Sequence, residues 1–285
     1  MYKYSLDKSS KKFICPNCNK RKFVFFIDNE TGHYLEPIYG RCDRESACGY
    51  FKAPTYNKRT ITSFKKPIYN PPTFINENVI GKYCNNYDHN NFVSFLLKHH
   101  SEKDVIQAIE NYFIGTTNHW KGATIFWQID EKLKIHTGKV MLYDRITGRR
   151  VKKPYAHVNW MHKVLQIKPF VLQQCLFGLH LISEGAQKKT ICIVESEKTA
   201  IIMSLVFPEY YWMATGSKSN LKIGLLLPIK NFKIILYPDK TEYQSWNEKA
   251  AMLDKNGFSI KCSRLIESID VEVGGDLADL YLAFH

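Results

Sequence analysis

The last hundred residues contain four short apolar runs: TICIVE (190–195), YYWMAT (210–215), FKIILYPD (232–239) and FSIKCSRLI (258–266). They are short and largely apolar, so each reads as a strand covered on both faces. Between them lie SEKTAIIMSLVF (196–207), closed by Pro208, then SNLKIGLLLPIK (219–230), and SWNEKAAMLDKNG (245–257), closed by Gly257. Strand alternating with helix predicts a mainly parallel sheet with right-handed crossovers. No other feature narrows the possible folds as much, because a parallel sheet needs helical cover on both sides and gathers its ligands beyond the carboxyl ends of its strands.

Acidic residues stand at those ends. Glu195 closes the first run, Asp239 closes the third, and GGDLADLYL places Asp276 and Asp279 three apart after the fourth, on one side of a short helix. Two carboxylates held ~4 Å apart repel by about 4 kcal/mol at an effective dielectric of 20. A divalent cation reverses that cost, and magnesium in particular takes oxygen ligands while binding phosphate oxygens. Each acid alone is more economically read as a strand end or helix cap, with Ser196 capping the first helix; as a set on one sheet they predict a metal site.

The first fifth of the chain carries a different donor set. Cys15 and Cys18 in CPNC, and Cys42 and Cys48 in RCDRESACGY, supply four thiolates for one tetrahedral zinc ion. The segment between them has strand-forming residues around a DNETG turn, which predicts a zinc ribbon over 1–53, held by its metal because so short a segment buries little core. His33 is an alternative ligand. A redox Cys-x-x-Cys normally opens a helix, whereas here Pro16 and Asn17 lead into a basic strand. Lys20, Arg21, Lys22, Phe23 and Phe25 on an exposed ribbon sheet would meet phosphates and stack on unpaired bases.

Residues 54–75, rich in Lys, Pro and polar side chains, read as a linker. From about Asn90 two helices follow, NFVSFLLKHH (91–100) and SEKDVIQAIENYFIG (101–115). Ser101 and Asp104 form the N-terminal cap of the second, and Gly115 is expected to end it. ATIFWQID (123–130) and KIHTGKVMLYD (134–144), with turns at DEKLK and RITGRR, predict a small antiparallel sheet. The expected organisation is a zinc ribbon, a linker, an α+β middle subdomain over 76–186 and an α/β domain over 187–285.

Lys plus Arg number 40 against 27 Asp plus Glu, a formal charge of +13, which fits either a polyanionic partner or a lysine-rich solvated surface. RRVKKPYAHVNWMHK is the most concentrated basic stretch, with Arg149, Arg150, Lys152 and Lys153 beside Tyr155 and Trp160, and reads as a strand-guiding surface for single-stranded DNA. His157 and His162 receive no role. No run approaches a membrane span and the amino terminus lacks a secretory pattern, so the expected location is the cytoplasm.

IVESEKTA (193–200), MATGSKSNL (213–221), IILYPDK (234–240) and GDLADLYL (275–282) occur in the order of a toprim domain and resemble it. Toprim is the catalytic module of bacterial replicative primases, type IA and type II topoisomerases and certain nucleases. The segments 92–117 and 122–150 are similar to the region preceding toprim in bacterial primases, which also begin with a zinc ribbon. The likeness extends to zinc-ribbon and toprim proteins of mobile elements in Bacteroidota.

The resemblance implies magnesium or manganese held by Glu195, Asp239 and Asp276, with Asp279 assisting and Glu195 as an alternative general base. Gly216 matches the family glycine, and Lys198 and Lys218 are placed to contact phosphate. It also implies primase-like nucleotidyl transfer or nuclease chemistry on single-stranded DNA, nucleoside triphosphates as substrates, and a helicase or other mobile-element protein as partner. Two departures matter. Thr241 stands where the second aspartate of Asp-x-Asp belongs, so Glu242 or Asp276 would have to supply that ligand, or the protein is a DNA-binding module without chemistry. Ser196 replaces a common glycine. The chain ends at His285 directly after toprim, so the expectation is not a housekeeping primase.

Overall fold

The computed structural model describes residues 3–44, 47–54, 70–183 and 189–284. Most of the expected linker, 55–69, lies outside the described residues. The chain divides into two compact units, Met1–Asn70 and Pro71–His285, and the division falls within the predicted linker.

The first unit is a small antiparallel sheet. Its strands are β1 (Tyr4–Leu6), β2 (Phe13–Ile14), β3 (Arg21–Asp28), β4 (Gly40–Cys42) and β5 (Phe51–Lys52). They run β1-β3-β4-β5, with β2 also paired to β3. The predicted turn follows β3, where Asp28 Oδ1 accepts from the backbone N–H groups of Glu30 and Thr31 and Gly32 takes φ +73°. The core is thin: Cys15, Phe23 and Cys42 are buried, and Phe13, Phe25 and Tyr50 pack half-buried around them.

The second unit opens with α1 (Asn78–Tyr83), α2 (Asn91–His99) and α3 (Glu102–Asn111). A sheet of β6 (Gly115–Thr117), β7 (Ala123–Ile129), β8 (Ile135–Met141) and β9 (Val158–Trp160), then α4 (Met161–Val164), come next. The four strands are antiparallel in sequential order, as the sequence predicts. Ser101 caps α3 by accepting from the N–H of Asp104. Gly115 does not end that helix, contrary to expectation. The helix stops at Asn111, and Gly115 opens β6, where a Cβ would lie 3.0 Å from Ile125 Cβ and from Trp127 Nε1.

Asn90 ties these elements together. Fully buried, it accepts from the N–H groups of Phe92 and Val93 at the start of α2 and from Thr124 Oγ1, and it donates to Gly115 O and Thr116 Oγ1.

The carboxyl-terminal part alternates as predicted: β10 (Ile191–Val194), α5 (Glu197–Val206), β11 (Tyr211–Ala214), α6 (Ile223–Leu226), β12 (Lys233–Leu236), α7 (Tyr243–Lys255), β13 (Ser259–Cys262), α8 (Leu265–Ser268) and α9 (Leu277–Ala283). Its four strands are all parallel, in the order β11-β10-β12-β13. Successive residues face opposite cores. Cys192 and Val194 pack with α5 and α9, while Ile191 and Ile193 pack with Leu226, Trp246 and Leu253 of α6 and α7, which accounts for the unbroken apolar run of β10 in the sequence.

The middle and carboxyl-terminal sheets share one core. Phe126 of β7 meets Phe177 at 5.7 Å, Tyr112 stacks on Phe177 at 5.3 Å, and Tyr112 Oη donates to Trp212 O at 2.8 Å.

Asn90→Ala is expected to destabilise the second unit by about 2–4 kcal/mol, because it removes a helix cap and strands buried donors and acceptors on three elements. Urea unfolding of the full chain, followed by tryptophan fluorescence, measures it.

Candidate functional site

In the strand order β11-β10-β12-β13 the chain leaves β10 for one neighbour and returns to the other side. This places a topological switch point between β10 and β12, where open α/β sheets bind ligands. Ile193 is level with Leu236 across that pair. Glu195 lies two residues beyond the first and Asp239 three beyond the second, so both emerge at the crevice.

Burial penalises the charged form of each. The Asp239 carboxyl is pushed up to about 8, first by burial, then by Asp276, Glu195, Asp279 and Glu242 in that order. Glu195 is also raised, by burial and by Glu242, against the opposing pull of Lys139, Lys218 and a hydrogen bond from the Lys218 backbone N–H.

Asp276 approaches from the start of α9. It caps that helix by accepting from the N–H groups of Ala278 and Asp279, Asp279 returns a bond to the Asp276 N–H, and Thr199 Oγ1 donates to the second Asp276 oxygen. Asp276 and Asp279 are therefore the two members of a capping box rather than neighbours along a helix face. Ser196 occupies the N-cap position of α5, but its side chain makes no cap bond.

Three other carboxylates are neutralised by lysines: Glu197 by Lys139 at 3.0 Å, Glu242 by Lys218 at 2.9 Å and Asp279 by Lys198 at 3.7 Å. Among the described residues, Glu195, Asp239 and Asp276 have no such ion pair. Lys198 and Lys218 thus face carboxylates. Gly216, at φ +73°, donates its N–H to Glu195 O, and a Cβ there would sit 2.9 Å from Glu197 Oε1; the close approach explains the glycine.

Thr241 carries φ +78°, and its N–H donates to Glu267 Oε2. Lys240 Nζ donates to the carbonyls of Ile266, Glu267 and Ile269, and its N–H to Gly275 O. These contacts lash the segment before Asp276 to the end of β12. Sequence reasoning missed Lys139, Glu197, Thr199 and Lys240. Lys139 stands in the predicted strand directly before the apolar Val140, Met141 and Leu142, but its carboxylate partner lies 58 positions along the chain.

Among the described residues, one group of three or more metal-ligating side chains has its donor atoms within 4.8 Å of one another, and it is the four cysteines. The donor atoms of Glu195, Asp239 and Asp276 do not all lie within that distance of one another. Their hard oxygen donors, with Asp239 half-buried and without an ion pair among the described residues, fit a magnesium ion that keeps part of its water shell.

The cysteines form a closed set. Cys15 Sγ lies 3.7 Å from Cys48 Sγ, and Cys18 Sγ lies 3.8 Å from Cys42 Sγ. A tetrahedral ion with Zn–S of about 2.3 Å requires S···S edges of about 3.8 Å. A hydrogen bond from the Lys20 backbone lowers the Cys18 thiol to about 6, while burial pushes Cys42 up to about 12. His33 is not a ligand: it sits exposed beyond the β3 turn, where its carbonyl accepts from the Asp28 N–H.

Lys20, Arg21 and Lys22 are exposed, but Phe23 is not available to stack on a base. It is fully buried against the cysteine cluster, with Phe25 half-buried beside it at 5.4 Å. Arg149, Arg150, Lys152, Lys153 and Tyr155 are all exposed, and Trp160 is half-buried. His157 and His162 are buried and bonded to Val151 O and Thr137 Oγ1. No helix among the described residues is long and apolar enough to cross a membrane.

These features define a two-part α/β protein with a zinc-ribbon unit and an acidic crevice on a parallel sheet. The chain belongs to the family described as a domain of unknown function, DUF6371, whose model matches residues 90–240 and so spans Lys139, Glu195, Gly216 and Asp239. A second family, described as a zinc beta-ribbon finger, matches residues 2–62. No curated protein matches the chain.

Among solved structures, the chain is similar to the primase fragment of the bacteriophage T7 primase-helicase protein, with 18% identity, a TM-score of 0.45, and coverage of 96% of this chain and 95% of that one. The RNA polymerase domain of Mycobacterium tuberculosis primase follows at 11% identity and TM-score 0.45, covering 72% and 76%. The zinc-binding and RNA polymerase domains of Aquifex aeolicus primase match at 10% identity and TM-score 0.40, covering 98% and 79%.

Two outcomes follow from the donor sets. The purified chain should carry near-stoichiometric zinc by elemental analysis. Cys15→Ser or Cys42→Ser, or a strong chelator, should unfold the ribbon while leaving the second unit's melting transition in place, since structural zinc contributes roughly 10–16 kcal/mol in comparable peptides.

For Asp239, a folded-state pKa above the unfolded one means that the folded chain binds the extra proton. Its contribution is therefore present below about pH 4 and is lost as pH rises through about 8. In metal-free buffer, Asp239→Asn should gain stability over wild type across that window, by an amount on the order of a few kcal/mol. Millimolar Mg²⁺ at pH 8 should stabilise wild type but not the variant, as read by thermal melts.

Proposed function

We propose that this protein carries out divalent-cation-dependent phosphoryl chemistry on single-stranded DNA, of the primase-like nucleotidyl-transfer kind. One observation carries the reading: Asp239, half-buried at the switch point of a parallel sheet, is surrounded by four other carboxylates and has no ion pair among the described residues. Such a group is a poor resting state for a protein and a good receptor for a cation that also binds phosphate oxygens.

In this reading Glu195, Asp239 and Asp276 hold the ion, which neutralises charge developing on the transferred phosphoryl group. The chain supplies the rest. The Lys218 N–H orients Glu195, and Thr199 with the two α9 N–H groups fixes Asp276. Lys198 and Lys218, held beside the crevice by Asp279 and Glu242, are placed to exchange those partners for substrate phosphate.

Arg149, Arg150, Lys152, Lys153 and Tyr155, with Trp160, form the surface that guides a single strand by phosphate contact and base stacking, and Lys20, Arg21 and Lys22 add a second basic site on the ribbon. Nucleoside triphosphates are the co-substrates. We take residues 187–285 as the toprim-like domain, working with the 76–186 subdomain in the cytoplasm for a mobile element, together with a helicase or another protein of that element.

Thr241 favours a second reading. Its backbone N–H is bonded to Glu267, and it brings no carboxylate to the crevice, as in a toprim-like module that binds DNA without chemistry. A nuclease is the third reading.

The three separate in one assay with labelled single-stranded DNA, ribonucleotides and Mg²⁺ or Mn²⁺. New oligomers that fall at least 100-fold with Glu195→Ala and Asp239→Ala are expected. Shortened template would instead identify a nuclease, and salt-sensitive binding without product under either metal would identify the module.

A further inference from the structure

Lys139 is the one lysine whose position in the second unit calls for a separate explanation. It lies in β8, every residue of which is buried, and its Nζ reaches out of the antiparallel sheet into the acidic crevice. There it donates to Glu197 Oε2 at 3.0 Å and to Gly216 O at 2.9 Å. Those two oxygens come from the loops that follow β10 and β11, and Lys139 also acts electrostatically on Glu195.

Glu197 itself is 1% exposed, and its second oxygen, Oε1, is buried without any hydrogen-bond partner. A buried carboxylate with one oxygen on an ammonium and the other on nothing is an incompletely satisfied cation site. The ammonium stands among hard oxygens, a carboxylate and a carbonyl, of the type that otherwise ligate magnesium or manganese.

We propose that Lys139 is a resident cation that fills a second divalent-ion position, so that the crevice accepts a single divalent cation, on the Asp239 side. The inference rests on the proposed cation site and adds its stoichiometry. Charge arithmetic agrees with it. The three carboxylates without ion pairs, Glu195, Asp239 and Asp276, carry three negative charges; one divalent ion leaves a single negative charge and a second would reverse the sign. With Lys139 in place the second ion finds no carboxylate of its own and only one negative charge against its two positive ones.

The consequence is a gain of binding on removing a lysine. In Lys139→Met the side-chain volume is kept and Glu197 is released. Its two oxygens and the Gly216 carbonyl then form a second site beside Glu195.

The test is Mn²⁺ titration of the zinc-loaded full chain, with free Mn²⁺ read by electron paramagnetic resonance. Wild type, Lys139→Arg and Glu197→Gln should each bind one Mn²⁺, Lys139→Met should bind two, and Lys139→Met with Glu197→Gln should return to one. The double variant buries no unpaired charge. If Lys139→Met folds only when Mn²⁺ is present, binding two, the inference is supported in the same way.

One Mn²⁺ in Lys139→Met, or two in wild type with one lost in Glu197→Gln, overturns the role of Lys139 and leaves the cation site standing. No Mn²⁺ in wild type overturns the cation site and this inference with it.

Discussion

The buried contact between Lys139 and Glu197 is where the two sheets of the larger unit must agree. Lys139 belongs to the antiparallel sheet, and Glu197 opens the helix that follows the first parallel strand. Neither charge is tolerable alone at that depth: removing one partner of a buried pair typically costs about 3–5 kcal/mol. Around it the apolar packing of Phe126, Phe177, Tyr112 and Trp212 closes the same junction. The apolar contacts supply most of the driving force, but they are indifferent to small shifts. The ion pair, with its second bond to the Gly216 carbonyl, fixes the spacing of the loops that carry Glu195 and Lys218. Packing of one sheet on the other therefore determines the shape of the acidic crevice.

Repulsion within that crevice explains the pattern of its neighbours. Four carboxylates beside the switch point have acquired partners: Glu197 takes Lys139, Glu242 takes Lys218, Asp279 takes Lys198 and the cap of α9, and Glu267 takes the Thr241 N–H. At the switch point Glu195, Asp239 and Asp276 have no ion pair among the described residues, and Asp276 is the most constrained, with three hydrogen-bond donors directed at its two oxygens. A protein selected only for stability would not keep a half-buried carboxylate at position 239, among its like. Retaining it there supports the proposed cation site, where a stability cost is offset by a bound ion.

Most of the fold was legible because burial on two faces leaves a sequence record. The runs containing Ile191, Tyr211, Lys233 and Ser259 announced four strands, although β13 at the sheet edge exposes Ser259 and Lys261 and is covered on one face only, and the intervening helices closed where Pro208 and Gly257 stand. Glu195 and Asp239 could be placed at the carboxyl edge on that basis alone. What could not be read was pairing at a distance. Nothing local says that Lys139 meets Glu197, or that Lys240 binds three carbonyls of the segment after β13. Gly115 misled because a glycine after a helical pattern has two physical uses, ending a helix or admitting a close neighbour, and here Ile125 and Trp127 demanded the second. Phe23 misled because a two-residue period does not say which face of a small sheet is covered until the cysteines choose one.

The two donor sets differ in how closely they assemble, and chemistry accounts for it. Thiols approach one another without charge while protonated, so Cys15, Cys18, Cys42 and Cys48 stand already at the edges of a tetrahedron, with S···S separations of 3.7 and 3.8 Å. Zinc then has only to displace protons, which the lowered Cys18 thiol releases most readily. Carboxylates at neutral pH have no such uncharged form to hold in reserve unless burial supplies one. Asp239, with its carboxyl pushed up to about 8, is the group for which burial does so. The closed sulfur site thus suits an ion that stays, since every position around it is taken. The looser oxygen set, in the function proposed above, would take an ion that retains water and can exchange it for a phosphate oxygen.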